Sequence, residues 1–189
     1  MIRVGGSKKD NLLPADGEVM VMGQVPYLGV VIAVVVLDQV TKRWVQRSIG
    51  VRESRTIIDG FLSLTHGRNP GIAFGVLSEG GLPFQALALT LLGLAAVVAL
   101  VAYVLRTPLV HRLRLVALSL VIGGAVGNLV DRIRYGSVVD FIHVYWRTHQ
   151  WPDFNVADSA ISVGVTLLVL ESLFAPRKSG EVRPPSGPG

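Results

Sequence analysis

The 189-residue chain contains no cysteine, which removes disulfides, a thiol nucleophile, zinc–cysteine sites and lipid attachment through sulfur from consideration. It is also poor in charge: 16% of residues are Asp, Glu, Lys or Arg, against 50% hydrophobic, and the mean hydropathy is +0.52. That balance lies far from soluble composition and identifies a membrane protein. The four histidines have no paired spacing of the H-x-x-x-H kind, so neither a metal centre nor any other cofactor is expected. A net charge of +5 could serve nucleic acid, but the 18 basic residues flank apolar runs instead of forming one face. Membrane lipid is the better partner for them, and no nucleic-acid partner is expected.

What the chain does have is long uncharged runs. Residues 83–105 carry no charge and, at about 1.5 Å per residue, can cross a hydrocarbon core of about 30 Å. Segments 25–42, 113–133 and 156–174 read as three further spans. The first follows basic residues as a signal peptide would, yet it runs into Leu37-Asp38-Gln39 without a small-x-small cleavage site, so it is read as retained. The patch Gly123-Gly124-Ala125-Val126-Gly127 would let a neighbouring helix approach closely. Residues 1–24 read as a flexible cytoplasmic lead-in, and 176–189, rich in Pro and Gly, as a disordered cytoplasmic tail. Thr56-Ile57-Ile58 and residues 61–65 flank an Asp59-Gly60 turn signal, and Val138 to Tyr145 is rich in β-branched and aromatic residues. The expected fold is an all-α integral membrane protein of four spans, with a small extracytoplasmic β-sheet resting on the bilayer and Trp44, Trp146 and Trp151 near headgroup level.

Four spans put 43–82 and 134–153 on one side of the membrane, and both termini with the 106–112 turn on the other. Asp38, Thr41, Lys42, Asn69, Asn128, Asp131, Arg132, Asp140, Asn155 and Asp158 then share one membrane border. Polar groups gathered at membrane depth mark a functional site. Asp140 lies in Val138-Val139-Asp140-Phe141-Ile142 and Asp158 in Phe154-Asn155-Val156-Ala157-Asp158. A carboxylate among apolar neighbours is costly to ionise, so two such acids point to a pair sharing one proton; the plainer alternative makes each a capping or ion-paired structural acid. Basic residues divide equally between the two sides, so charge alone does not orient the chain, although the compact Arg106–Arg114 cluster favours its own side as cytoplasmic.

Five blocks together resemble lipoprotein signal peptidase, or signal peptidase II: Asp38-Gln39-Val40-Thr41-Lys42, Asn69-Pro70-Gly71-Ile72-Ala73-Phe74, Gly123 to Arg132, Val138-Val139-Asp140-Phe141, and Phe154-Asn155-Val156-Ala157-Asp158. The resemblance covers about residues 25 to 175 in the family's order and spacing, with one departure at Ile72, where the family more often has Ala. It implies a bacterial inner-membrane aspartic endopeptidase, acting at the outer face as a monomer. The implied substrate is a prolipoprotein carrying diacylglycerol on a Cys, cut just before that Cys. The catalytic acids fall on Asp140 and Asp158. Asn69, Gly71, Phe74, Asn128, Arg132 and Asn155 fall on site-lining positions, and Asp38 with Lys42 on a supporting pair.

The chemistry of the residues is compatible with this. Asp131, beside Arg132 and Arg134, is expected to be an ion-paired structural acid. Asp140 is suited to hold a proton, whereas Asp158, in the first turn of a helix, is favoured as the anion. Asn128 and Asn155 each precede an acid by three residues and so share its helical face. His66 and His143 read as incidental residues of the surface sheet, and Glu171 as an incidental acid at the cytoplasmic end of the last helix. Rival readings are an ion- or proton-coupled carrier, since buried acids also form proton relays, and an assembly factor docking through the sheet. The one-sided acids and the missing inverted repeat speak against the carrier. The assembly factor leaves both apolar-flanked acids unexplained.

Overall fold

The computed structural model describes residues 16–71 and 83–174; the expectations for 1–15 and 175–189, and for Ile72 and Phe74, fall outside the described residues. Four helices, α1 (Asp16–Ser48), α2 (Pro83–Arg106), α3 (Arg112–Tyr135) and α4 (Val156–Phe174), are long and apolar enough to cross a membrane. Four strands join them: β1 (Ser54–Ile58), β2 (Leu62–Asn69), β3 (Val138–Trp146) and β4 (His149–Gln150).

α3 is the central helix, because 56% of its spanning window is buried inside the protein, against 0% for α2. It packs on α1, α2 and α4. The small residues expected to permit this serve two neighbours. A Cβ on Gly124 would collide with the Ala157 carbonyl of α4, and one on Gly127 would stand 2.7 Å from Asp38 Oδ2 on α1. α1 begins earlier and ends later than the 25–42 expected. At its far end the helix continues past Lys42 because Val45 and Ile49 are buried against Phe141 of β3.

The sheet is antiparallel in the order β1-β2-β3-β4. Phe61 N donates to Ile58 O at 3.1 Å, closing the Asp59-Gly60 hairpin, and Gly60 has the positive φ of 74° that the turn demands. Trp44, Trp146 and Trp151 are all more than half exposed, as residues facing headgroups are. α3 stops at Gly136, a left-handed C-cap whose N–H donates to Arg132 O at 2.9 Å, and the chain turns directly into β3. On β2 a bulge places Thr65 and His66 opposite the single residue Phe141, between the pairs Leu64↔Ile142 and Gly67↔Asp140. Beyond the bulge, Asn69 lies on the sheet face of Asp140, diagonally across the ladder. On its other side β3 holds the approach to α4, since Phe154 N donates to Ile142 O and Ile142 N to Phe154 O, at 3.1 and 2.8 Å.

Candidate active site

The end of β3 beside α3 and the start of α4 bring Asp140 and Asp158 into one cluster of amides. Three asparagines surround the two acids, and each has its amide oxygen occupied by an N–H donor. Asn69 Oδ1 accepts from Gly71 N at 2.8 Å; the turn this closes needs Gly71 at φ +94°, which explains Gly in Asn-Pro-Gly. Asn128 Oδ1 accepts from Lys42 Nζ at 3.0 Å, and Asn155 Oδ1 from Asp158 N at 2.9 Å. The NH₂ groups are thereby aimed at the carboxyls: Asn69 to Asp140 Oδ2 at 3.1 Å, Asn155 to Asp140 Oδ1 at 2.8 Å and Asn128 to Asp158 Oδ1 at 2.7 Å. Asn155 N completes the set by donating to Asp158 Oδ2 at 3.2 Å. All four carboxyl oxygens therefore accept from neutral donors.

Asp140 is 3% exposed. Burial is the largest influence on its carboxyl and lifts it from 3.8 to about 6. Donation from Asn69 opposes the rise, the neighbouring Asp158 charge adds to it, and Asn155 and Lys42 work against it.

Next to the amides lies a separate buried ionic cluster. Lys42, 2% exposed, reaches Asp38 Oδ2 and Asp131 Oδ2, both at 2.9 Å. Asp38 Oδ1 accepts from Ala157 N at 3.0 Å, capping the start of α4 from across the bundle, and Asp131 Oδ2 accepts from Val139 N at 3.1 Å. Gln39 Nε2 joins the cluster, donating to Asp131 Oδ1 at 2.9 Å and to Gly127 O at 3.2 Å. Lys42 touches the amide layer only through Asn128.

Several sequence expectations need correction at this level. The cation on Asp131 is Lys42, supplied by another helix, and not the adjacent Arg132 or Arg134; Arg134 donates to Gln39 Oε1 at 3.4 Å. Asn128 serves Asp158, not Asp131 on its own helix. The Arg132 side chain has no hydrogen bond or ion pair among the described residues, and its Nε is buried without a partner there. His66 is not a surface residue: it is 3% exposed, with Nδ1 2.9 Å from Ile49 O. His143 Nδ1 lies 2.6 Å from Asp153 Oδ1, and Thr65 Oγ1 donates to Asp153 Oδ2 at 2.7 Å, a junction that no motif in the sequence signalled. Glu171 pairs with Arg114 Nε at 3.0 Å, tying α4 to α3 at the opposite border. Gln39 was overlooked, although it stands three residues before Lys42 on one helical face.

A four-span bundle with buried acids gathered under a surface sheet is the architecture of a bacterial membrane enzyme. Two solved structures so described, determined by the in meso method at 2.3 and 1.9 Å resolution, superpose with TM-scores of 0.72 and 0.71 at 32% and 30% identity. They cover 84% and 80% of this chain, and 94% of each of those chains. The family model for signal peptidase (SPase) II matches residues 30–174, and the chain belongs to that family. Similar proteins include the lipoprotein signal peptidase of Geobacter metallireducens, 47% identical over 148 residues, 77% of this chain and 89% of that protein. Those of Symbiobacterium thermophilum and Syntrophus aciditrophicus are 47% and 44% identical, over 80% and 74% of this chain and 97% and 87% of theirs. The chain is thus a membrane protease by family, and the carrier reading is set aside.

Proposed function

We propose that this protein is an aspartic endopeptidase that removes the signal peptide from diacylglyceryl-modified prolipoproteins, cutting before the lipid-modified Cys. It works at the outer face of the bacterial inner membrane, with both termini cytoplasmic. The observation that carries the reading is the set of neutral amide donors around Asp140 and Asp158, while the nearby cation is engaged by Asp38 and Asp131. Neutral donors orient two carboxyls without fixing both as anions, so the pair can keep one proton.

Asp158, in the first turn of α4, is the anion, and Asp140 carries the proton. Asp158 takes a proton from a water placed between the acids, and the water oxygen bonds to the scissile carbonyl carbon. Asp140 donates to the developing oxyanion. Collapse of the tetrahedral intermediate returns a hydroxyl proton to Asp140, re-forms the carbonyl and breaks the C–N bond, and the proton on Asp158 passes to the leaving amine. No acyl-enzyme forms. Arg132 and Gly71 line the substrate side in this reading.

The test is cleavage of a diacylglyceryl-modified prolipoprotein by the purified protein in liposomes with no other component. Cleavage of the modified precursor, absent for the unmodified one and unaffected by EDTA, is the expected result. Loss in EDTA with recovery on adding zinc would overturn the aspartic mechanism.

A further inference from the structure

At the end of the bundle away from the acids, α1 and α2 each pack towards α3 but stand apart from one another, leaving a partly open cleft of about 410 Å³. This lies within the range of ligand pockets, about 300–1,000 Å³. Leu28 and Val31 of α1, Val97 and Val101 of α2, and Ile122 and Val126 of α3 form its walls. Three residues of the lining carry polar groups, Gln24, Tyr27 and Ser119; Gln24 Nε2 donates to Val104 O at 3.1 Å and Ser119 Oγ to Leu115 O at 2.7 Å. Apart from the Tyr27 hydroxyl, the cleft offers a guest apolar contact. Gln24's bond across to α2 and the packing of Leu109 on Gly23 lie at its end near the membrane border.

The rim there is basic. Arg106 follows the lining residue Leu105, and Arg112 lies seven residues before Ser119, on the helical face that continues into Ile122 and Val126. Both arginines are exposed, whereas Arg114 is paired with Glu171. An apolar slot at membrane depth with guanidinium groups at the headgroup level combines the two parts of a phospholipid site. The rim charge also decides between occupants, because the other apolar guest at hand, a signal-peptide helix, bears a basic n-region that these arginines would repel.

We propose that this cleft binds one anionic phospholipid, an acyl chain between α1, α2 and α3 and the phosphate on Arg106 and Arg112. The site is distinct from the acid cluster and independent of the proposed peptidase reaction. The test is native mass spectrometry of the full chain in neutral detergent, titrated with phosphatidylglycerol or with phosphatidylcholine of the same acyl chains. Phosphatidylglycerol binds more tightly, and Arg106→Gln with Arg112→Gln weakens it roughly fivefold per arginine, about 25-fold for both, leaving phosphatidylcholine unchanged. Val31→Trp, which fills the slot, weakens both lipids. Glycerol phosphate, a headgroup without chains, does not displace phosphatidylglycerol. Equal binding of the two lipids, unchanged phosphatidylglycerol binding in the double arginine variant, or displacement by glycerol phosphate or by a basic signal-sequence peptide would each overturn the proposal.

Discussion

Asn155 and Asp158 cap one another: Asp158 N donates to Asn155 Oδ1 at 2.9 Å while Asn155 N donates to Asp158 Oδ2 at 3.2 Å. This reciprocal arrangement starts α4 and at the same time sets one carboxyl of the pair, while the Asn155 NH₂ sets the other. Asn155→Ala should therefore cost about 1 kcal/mol of stability from the lost cap. Turnover should fall by much more, about 100-fold or greater, since Asp140 loses the Asn155 amide donor and the Asp158 N–H loses the Oδ1 that holds it. Thermal unfolding and precursor cleavage, measured side by side, separate the two effects. A loss of activity no larger than the loss of folded protein would reduce Asn155 to a helix cap.

Asp140→Asn and Asp158→Asn should each abolish most cleavage, and the double variant should be hardly worse than either, because in the proposed mechanism both acids act on one water in one step. Binding of unprocessed precursor should survive in all three, since Asp→Asn keeps the shape of the side chain and leaves apolar contacts to a lipid and a signal helix in place. Substantial turnover in either single variant that still binds precursor would refute the paired mechanism.

Asp131 sits in the ionic cluster and not among the amides around the dyad, so Asp131→Asn should lower stability more than turnover per folded molecule. Lys42→Met is the severe change: it leaves Asp38 and Asp131 as buried carboxylates without their cation, a loss of about 3–5 kcal/mol. The yield of folded protein and the specific activity of what folds are the quantities to compare. A fully stable but inactive Asp131→Asn protein would move the dyad.

The pH dependence has a definite sign. Asp140 rises from 3.8 to about 6 on folding, so between those values the folded protein holds a proton that the unfolded chain has released. Its contribution falls as pH rises across that window and is constant above it. Asp140→Asn, which cannot titrate, should thus gain nothing near pH 3.8 and at most about 3 kcal/mol above pH 6, less whatever its hydrogen bonds lose. Substrate that excludes water raises the carboxyl further, so precursor binding above pH 6 should take up a proton, detectable by calorimetry in buffers of different ionisation enthalpy. Binding without proton uptake would contradict this.

The spans, the Asp59-Gly60 hairpin and the convergence of polar residues at one border were legible because hydropathy and turn chemistry are local signals. The partners were not. Nothing within α3 says that Asp131 waits for Lys42 and not for the adjacent Arg132, since that choice depends on α1 lying against Gly127. In the same way Asn128 is three residues from Asp131, yet its amide is turned by Lys42 to face Asp158 on another helix. His66 read as a residue of the surface sheet, and what buries it is the end of α1, whose Ile49 carbonyl meets its ring. Asp153 carries no motif at all, and only the pairing of Phe154 with Ile142 brings it to His143.

The contact from Ala157 N to Asp38 Oδ1 spans 119 residues. It joins the first membrane helix to the beginning of the last, and the last also carries Asp158 and the Asn155 amide that sets Asp140. A nascent chain with three helices inserted lacks the second acid and Asn155, one of the two amides that orient the first. On the proposed mechanism the dyad is therefore completed last, and a partly inserted chain has no peptidase activity.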